Sequence, residues 1–135
     1  MMVRWMVALL LLALLTGCVR TQQGQEPMES DGQSSGIKME LHLAEKPTLG
    51  AVSSLEMTLT RAGQPITGAV VQVEGAMSHA GMEPLLVEAT EMGEGAYQAP
   101  LAWSMAGEWI VTARATLTDG SIVWESLESV EVLSP

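Results

Sequence analysis

From Ile37 onward the chain alternates apolar and polar residues in short runs, and this period of two constrains its fold more than any other feature. In "IKMELHLA", Ile37, Met39, Leu41 and Leu43 fall on one face, and Lys38, Glu40 and His42 on the other. "LEMTLTR" repeats the pattern with Leu55, Met57 and Leu59, and "AVVQVEGAM" puts Val71, Val73 and Met77 in one phase. "YQAPLAWS" aligns Tyr97, Ala99, Leu101 and Trp103, while "EWIVTARATL" aligns Trp109, Val111, Ala113, Ala115 and Leu117. Successive side chains of a strand point to opposite faces, so each run reads as a strand with one face on a core. A shorter strand is expected at residues 85–89 and a last one at 122–133. In the last, Trp124 and Leu127 cannot share a face whereas Val130 and Val132 can, which predicts a bulge near residues 127–129. "RAGQP", "MGEG", "MAGE" and "TDGS" supply glycine where tight reversals need it. No run after Gly36 has helical period. The fold expected is all-β, an immunoglobulin-like antiparallel β-sandwich of about seven strands.

The N-terminus has a different character. "MMVR" carries one positive charge, and "WMVALLLLALLT" is an apolar run too short to cross a bilayer, which takes ~20 residues. It ends in Leu15-Thr16-Gly17-Cys18, which resembles the lipobox of bacterial lipoproteins. That resemblance implies cleavage before Cys18 and lipidation of its sulfur; the alternatives are a plain secretory signal with an incidental cysteine, or an uncleaved anchor. Cys18 is the only cysteine, so the exported part has no disulfide. Acyl chains contribute ~0.8 kcal/mol per buried CH₂, and two or more make a stable anchor. The expected organisation is a signal peptide at 1–17, lipidated Cys18 with a flexible tether to residue 36, and one β domain at 37–135. The tether, "VRTQQGQEPMESDGQSSG", has almost nothing apolar to bury. No aspartate follows Cys18 directly. The lipobox resemblance then implies the outer membrane in a two-membrane organism, and otherwise the cell surface.

Removal of residues 1–17 leaves five basic against 16 acidic residues, a net charge of −11. Nucleic acid and anionic lipid both require basic patches and are excluded as partners. Catalytic motifs are also lacking. The sequence has no nucleophile elbow, no cofactor-binding glycine loop, and only two histidines with no activating partner in view. On these grounds the chain is read as a non-enzymatic binding or accessory domain.

"GQPITGAVVQVEGAMSHAGMEP" followed by "GEGAYQAPLAWSMAGEWIVTARA" is similar to YtkA-like domains and to the periplasmic part of FixH-type proteins. In these a valine-rich strand leads to a methionine-bearing loop and then to a hairpin, here carried by Gly95, Tyr97, Leu101, Trp103, Met105, Gly107, Trp109 and Val111. The resemblance implies a small, exported, immunoglobulin-like domain. Its members occur beside copper-handling and cytochrome oxidase assembly proteins. Where that family often has Met-Pro in the loop, this chain has Met77-Ser78-His79.

The loop "GAMSHAGMEP" itself crowds two methionines and a histidine between glycines. Thioether and imidazole donors suit Cu(I), and secondarily Cu(II), better than hard cations. Connections of an antiparallel sandwich alternate between its two ends. The loops at 44–51, 77–84 and 104–107 should therefore share one end, and those at 61–66, 91–95 and 118–120 the other. His79, Met82 and Met105 then converge, with Met77 at the edge, while Met92 is placed at the opposite end. These four residues are the candidate copper ligands. Met77 also fits a core position and Met105 a gap-filling one, and His42 lies on the polar face of its strand. The functional expectation is a lipid-anchored extracytoplasmic domain handling copper, with a membrane or copper-handling protein as partner. The alternative is a metal-free interaction module that docks a membrane protein by a sheet face, starting from Ile110 and Val70.

Overall fold

The computed structural model describes residues 36–79 and 81–135. The expected signal peptide, Cys18 and all but the last residue of the tether lie outside these residues. Nine strands follow in order: β1 (Ile37–Leu43), β2 (Val52–Arg61), β3 (Gln64–Pro65), β4 (Val70–Met77), β5 (Leu85–Glu88), β6 (Thr90–Gly93), β7 (Ala96–Ala102), β8 (Gly107–Thr116) and β9 (Ile122–Val132). They form two antiparallel sheets, one in the order β1-β2-β7-β6 with β3 beside β2, the other β5-β4-β8-β9. The immunoglobulin-like sandwich expected from the alternation is what the chain adopts, and the described residues contain no helix.

Two differences from the expected strand set have local causes. β3 is only a two-residue pairing, Thr60 with Pro65 and Arg61 with Gln64, which is too short to show a period. The strand expected at 85–89 is the first half of a segment that changes sheets. Leu85–Glu88 pairs with β4, the Ala89 amide still donates to the Val71 carbonyl at 2.8 Å, and Thr90 then pairs with Gln98 of β7 in the other sheet. The bulge expected near residues 127–129 is present: the β8–β9 register slips between Trp109 and Val111, and Ser129 takes φ +58°.

The inward phases meet in one core. Leu55, Leu59, Val71, Ala99, Leu101, Val111, Ala113 and Ala115 are all fully buried. Trp103 and Trp109 pack edge to face, centroids 5.5 Å apart and planes at 77°. Such a pair adds about 0.5–1.5 kcal/mol beyond its burial. The Trp103 indole N–H would be costly to bury alone, and it donates to Ser53 Oγ at 2.8 Å. Ser53 is the one buried polar side chain among the described residues.

The end reached by β2, β6 and β8 is held by side chains. Tyr97 Oη donates to the Ile66 carbonyl at 2.9 Å and accepts from the Ala69 amide at 3.1 Å. Burial raises the pKa of this phenol, partly offset by the Ala69 amide and reinforced by the Glu91 charge. Arg61 pairs with Asp119 at 2.7 Å across the end, and Glu91 accepts from the Gly68 amide at 2.9 Å. Gly95 lies so close to the β2–β3 corner that a Cβ there would fall 2.7 Å from the Leu59 carbonyl oxygen.

Candidate functional site

The opposite end carries the soft donors. β1, β4 and β7 all run toward it, so the β1–β2, β4–β5 and β7–β8 connections lie there. The grouping of loops expected from the alternation of connections is therefore the one observed. The Leu49 amide donates to the Leu133 carbonyl and the Leu133 amide to the Pro47 carbonyl, tying the β1–β2 loop to the chain end after β9. The Gly50 amide donates to the Trp103 carbonyl at 2.9 Å, tying the same loop to the start of the β7–β8 turn.

The β4–β5 loop leaves β4 alongside that turn. Met77 pairs with Trp109 in the β4–β8 register, and one residue further the Ser78 amide donates to the Glu108 carbonyl at 3.2 Å. Met77 is half-buried against the core, its Cε reaching to 3.0 Å from where a Cβ on Gly107 would stand. Gly107 has φ +129°, so the turn needs glycine there for its backbone conformation as well. Met105, 38% exposed, gives its carbonyl to the Trp109 indole N–H at 3.1 Å and leaves its thioether at the surface. His79 is exposed, and among the described residues its imidazole makes no hydrogen bond or ion pair. Met82 is half-buried after Gly81, which takes φ +111°.

Of the four candidates, Met77 ends β4 and His79 and Met82 lie in the loop after it, while Met105 lies in the β7–β8 turn, next to the start of β8 to which the Ser78–Glu108 bond ties that loop. His42 sits in β1 opposite Glu56, exposed on the outer face. Met92 is in β6 and faces outward near Gln98 and Pro100. Among the described residues no three His, Cys, Asp or Glu side chains group as a metal site, so a metal held here would rest on thioethers together with one imidazole. Gly107 and Glu108 are expected from the sequence as part of a turn, but their places beside Met77 and Ser78 are not, because those relations depend on the β4–β8 register.

The family profile described as YtkA-like matches residues 31–114. The chain belongs to the YtkA-like family. The match speaks for that half of the expected resemblance and is silent on the FixH-type half. Among curated proteins, none matches this sequence. Among solved structures, this YtkA-like domain is similar to superoxide reductase (neelaredoxin) from Ignicoccus hospitalis. One such structure, of a variant of the reductase, has TM-score 0.55 at 8% identity, over 78% of this chain and 91% of the other. A second structure of the reductase gives TM-score 0.52, again at 8% identity, over 73% of this chain and 80% of that one. At this identity the likeness shows the fold alone.

The expectation of a non-enzymatic domain is corrected by this comparison. Both similar structures are enzymes by name, so the fold is one on which catalysis occurs. The motifs the sequence lacks are those of nucleophilic, acid–base and nucleotide-cofactor chemistry. A reduction does not depend on any of these, so their lack did not exclude an enzyme. No helix among the described residues is long and apolar enough to cross a membrane.

Proposed function

We propose that this YtkA-like domain handles copper outside the cytoplasmic membrane, held at the membrane surface by a lipid on Cys18. His79 and Met82 are the principal donors, with Met105 and Met77 assisting. The observation that carries the reading is the junction of the β4–β5 loop with the β7–β8 turn. The Ser78–Glu108 hydrogen bond and the close approach of Met77 to Gly107 fasten the end of β4 and the loop after it to the start of β8, next to the turn that holds Met105. Met77 contributes chiefly as packing, since its side chain already rests on the core. The copper ion would be bound as Cu(I), which thioethers favour, and a copper-handling protein of the same membrane is the natural partner.

The test is a Cu(I) titration against a competing chelator, using the chain with Cys18→Ser so that the lone thiol cannot compete. One-to-one binding is expected, weakened at least tenfold in His79→Ala/Met82→Ala. Binding that the double variant retains would make the loop a methionine-rich turn. The alternative of docking through Val70 and Ile110 meets a geometric obstacle. Both are exposed, at 52% and 40%, on the outer face of the β5-β4-β8-β9 sheet. Val70 pairs with Thr116, however, and Ile110 with Ala76, so two rows of the β4–β8 register separate them.

A further inference from the structure

Those two intervening rows form a second feature of the molecule, independent of the copper reading. Across the outer face of the β5-β4-β8-β9 sheet, one row runs Leu86, Glu74, Thr112, Ser126 and the next Glu88, Gln72, Arg114, Trp124. On the two central strands the middle of the face is therefore Glu74, Gln72, Thr112 and Arg114. Around it stand apolar side chains: Leu86 on β5, 71% exposed, Trp124 on β9, 42% exposed, with Ile110 beyond one end and Val70 beyond the other. Strands lie about 4.8 Å apart, so Leu86 and Trp124, three strands apart, are ridges either side of a trough roughly 14 Å wide. The cavity between them has a volume of about 360 Å³.

This arrangement inverts a protein–protein interface, which places apolar residues at its centre, depletes charge there and puts polar groups at the rim. Here the centre is charged and the rim is apolar. The volume lies within the range of small-molecule sites, roughly 300–1,000 Å³. The floor offers donors and acceptors of both kinds: five guanidinium N–H groups, two carboxylates with Glu88, and an amide. Among the described residues the side chains of Gln72, Glu74, Glu88 and Arg114 make no hydrogen bond or ion pair with one another or with any neighbour. Two carboxylates and one guanidinium do not select strongly for a charged ligand. The acidic balance of the whole chain, −10, opposes an anion.

We propose that this trough binds a neutral saccharide. One apolar face of a pyranose ring stacks on the Trp124 indole. Its hydroxyls, each able to donate and to accept, are taken up by Arg114, Gln72 and Glu74, and Leu86 closes the far side. Trp124 also serves as the reporter: Trp103 and Trp109 are buried at 1% exposure, and the fourth indole of the full chain, Trp5, is told apart by its persistence in Trp124→Phe.

The experiment is titration of the full chain, in a zwitterionic detergent free of sugar, with the tetrasaccharides of N-acetylglucosamine, cellulose and amylose. The readout is the ¹H–¹⁵N resonance of each indole, assigned with Trp124→Phe. Saturable movement of the Trp124 resonance is expected with at least one of the three, while those of Trp103 and Trp109 stay in place. Measured by isothermal calorimetry, which does not need the Trp124 indole, Trp124→Ala should weaken binding at least tenfold and Arg114→Ala severalfold, with the Trp103 and Trp109 resonances showing that both variants remain folded. Absence of movement at millimolar concentrations of all three would overturn the proposal. So would binding that survives Trp124→Ala, or movement of the Trp124 resonance on concentrating the protein without sugar, which would mean the face pairs with a second copy.

Discussion

The two ends of the sandwich are built from the same kind of connection and are used differently. At one end three side chains are spent on holding loops together: Tyr97 on Ile66 and Ala69, Arg61 on Asp119, Glu91 on Gly68. At the other the loops are joined by backbone bonds, Ser78 to Glu108, Leu49 to Leu133 and Gly50 to Trp103, and by the side chains of Glu45 on Ser54, Trp109 on the Met105 carbonyl and Ser129 on Glu108. The side chains of His79 and Met105 are left at the surface. Side chains committed to fastening are unavailable for ligands. The second end leaves the His79 imidazole out of its fastening, and the Met105 thioether at the surface, so it is where a binding site can be built at little cost in stability.

The sharpest test of this contrast makes one substitution at both ends. A methyl group on Gly95 would lie 2.7 Å from the Leu59 carbonyl and 2.9 Å from Pro65, and φ is +76°. Strain in the left-handed region costs roughly 1–2 kcal/mol and overpacking a further 1–3 kcal/mol. Gly95→Ala should therefore lower unfolding stability by about 3 kcal/mol, read from the denaturant midpoint. Gly81 also has positive φ, +111°, but nothing lies within 4 Å of its would-be Cβ. Gly81→Ala should cost only the conformational part, about 1–2 kcal/mol. Equal losses would break the comparison.

Tyr97→Phe comes next. It leaves the Ile66 carbonyl and the Ala69 amide without their shared partner, at a cost of about 1–3 kcal/mol. The variant also has a pH signature. The phenol's pKa is raised by folding above its ordinary 10.0. Between 10.0 and the raised value the folded state holds the proton that the unfolded state has released, so stability present below pH 10.0 is lost as pH rises through that interval. Phe cannot titrate, and the alkaline loss should be shallower in the variant. An identical alkaline limb in both proteins would show that the hydroxyl is not held as described.

How much of this was legible beforehand differs between the ends as well. The alternation gave the strands, the sandwich and the bulge at residues 127–129, because burial of one face imposes a period of two. It could also sort the loops to two ends, since antiparallel connections must alternate. What it could not give is register. Ser53 beneath Trp103, Gly107 beneath Met77 and the polar centre between Leu86 and Trp124 are cross-strand relations, and each depends on which residue lies opposite which. The change of sheet at Ala89 was hidden for a related reason: a short run shows the same pattern whichever sheet it joins.

The Arg61–Asp119 pair should give a smaller effect, one that acid removes. The Ser121 amide and then the Arg61 guanidinium hold the Asp119 carboxyl down to about 2, from 3.8. A depressed pKa contributes stability that is present above 3.8 and is lost as pH falls through about 2. In Asp119→Asn that contribution is gone at every pH. The Tm difference between wild type and variant should then be constant at neutral pH and close between pH 3.8 and about 2. A difference that persists undiminished at about pH 2 would assign it to lost packing and not to charge. Because both side chains are nearly half exposed, salt should shrink the neutral-pH difference too.

The smallest expected effect on stability is at the other end. His79 is exposed and bonded to nothing among the described residues, so His79→Ala should change unfolding stability by no more than about 0.5 kcal/mol. That neutrality matters for the copper reading. A variant at the first end that lost an activity could have lost it by loosening the fold, whereas His79→Ala can alter metal binding with the fold unchanged. If the substitution instead destabilises the domain by more than about 1 kcal/mol, His79 is fastening the loop as Tyr97 fastens its own. The two ends would then be alike, and the case for a binding site at the β4–β5 loop would lose the free side chain on which it rests.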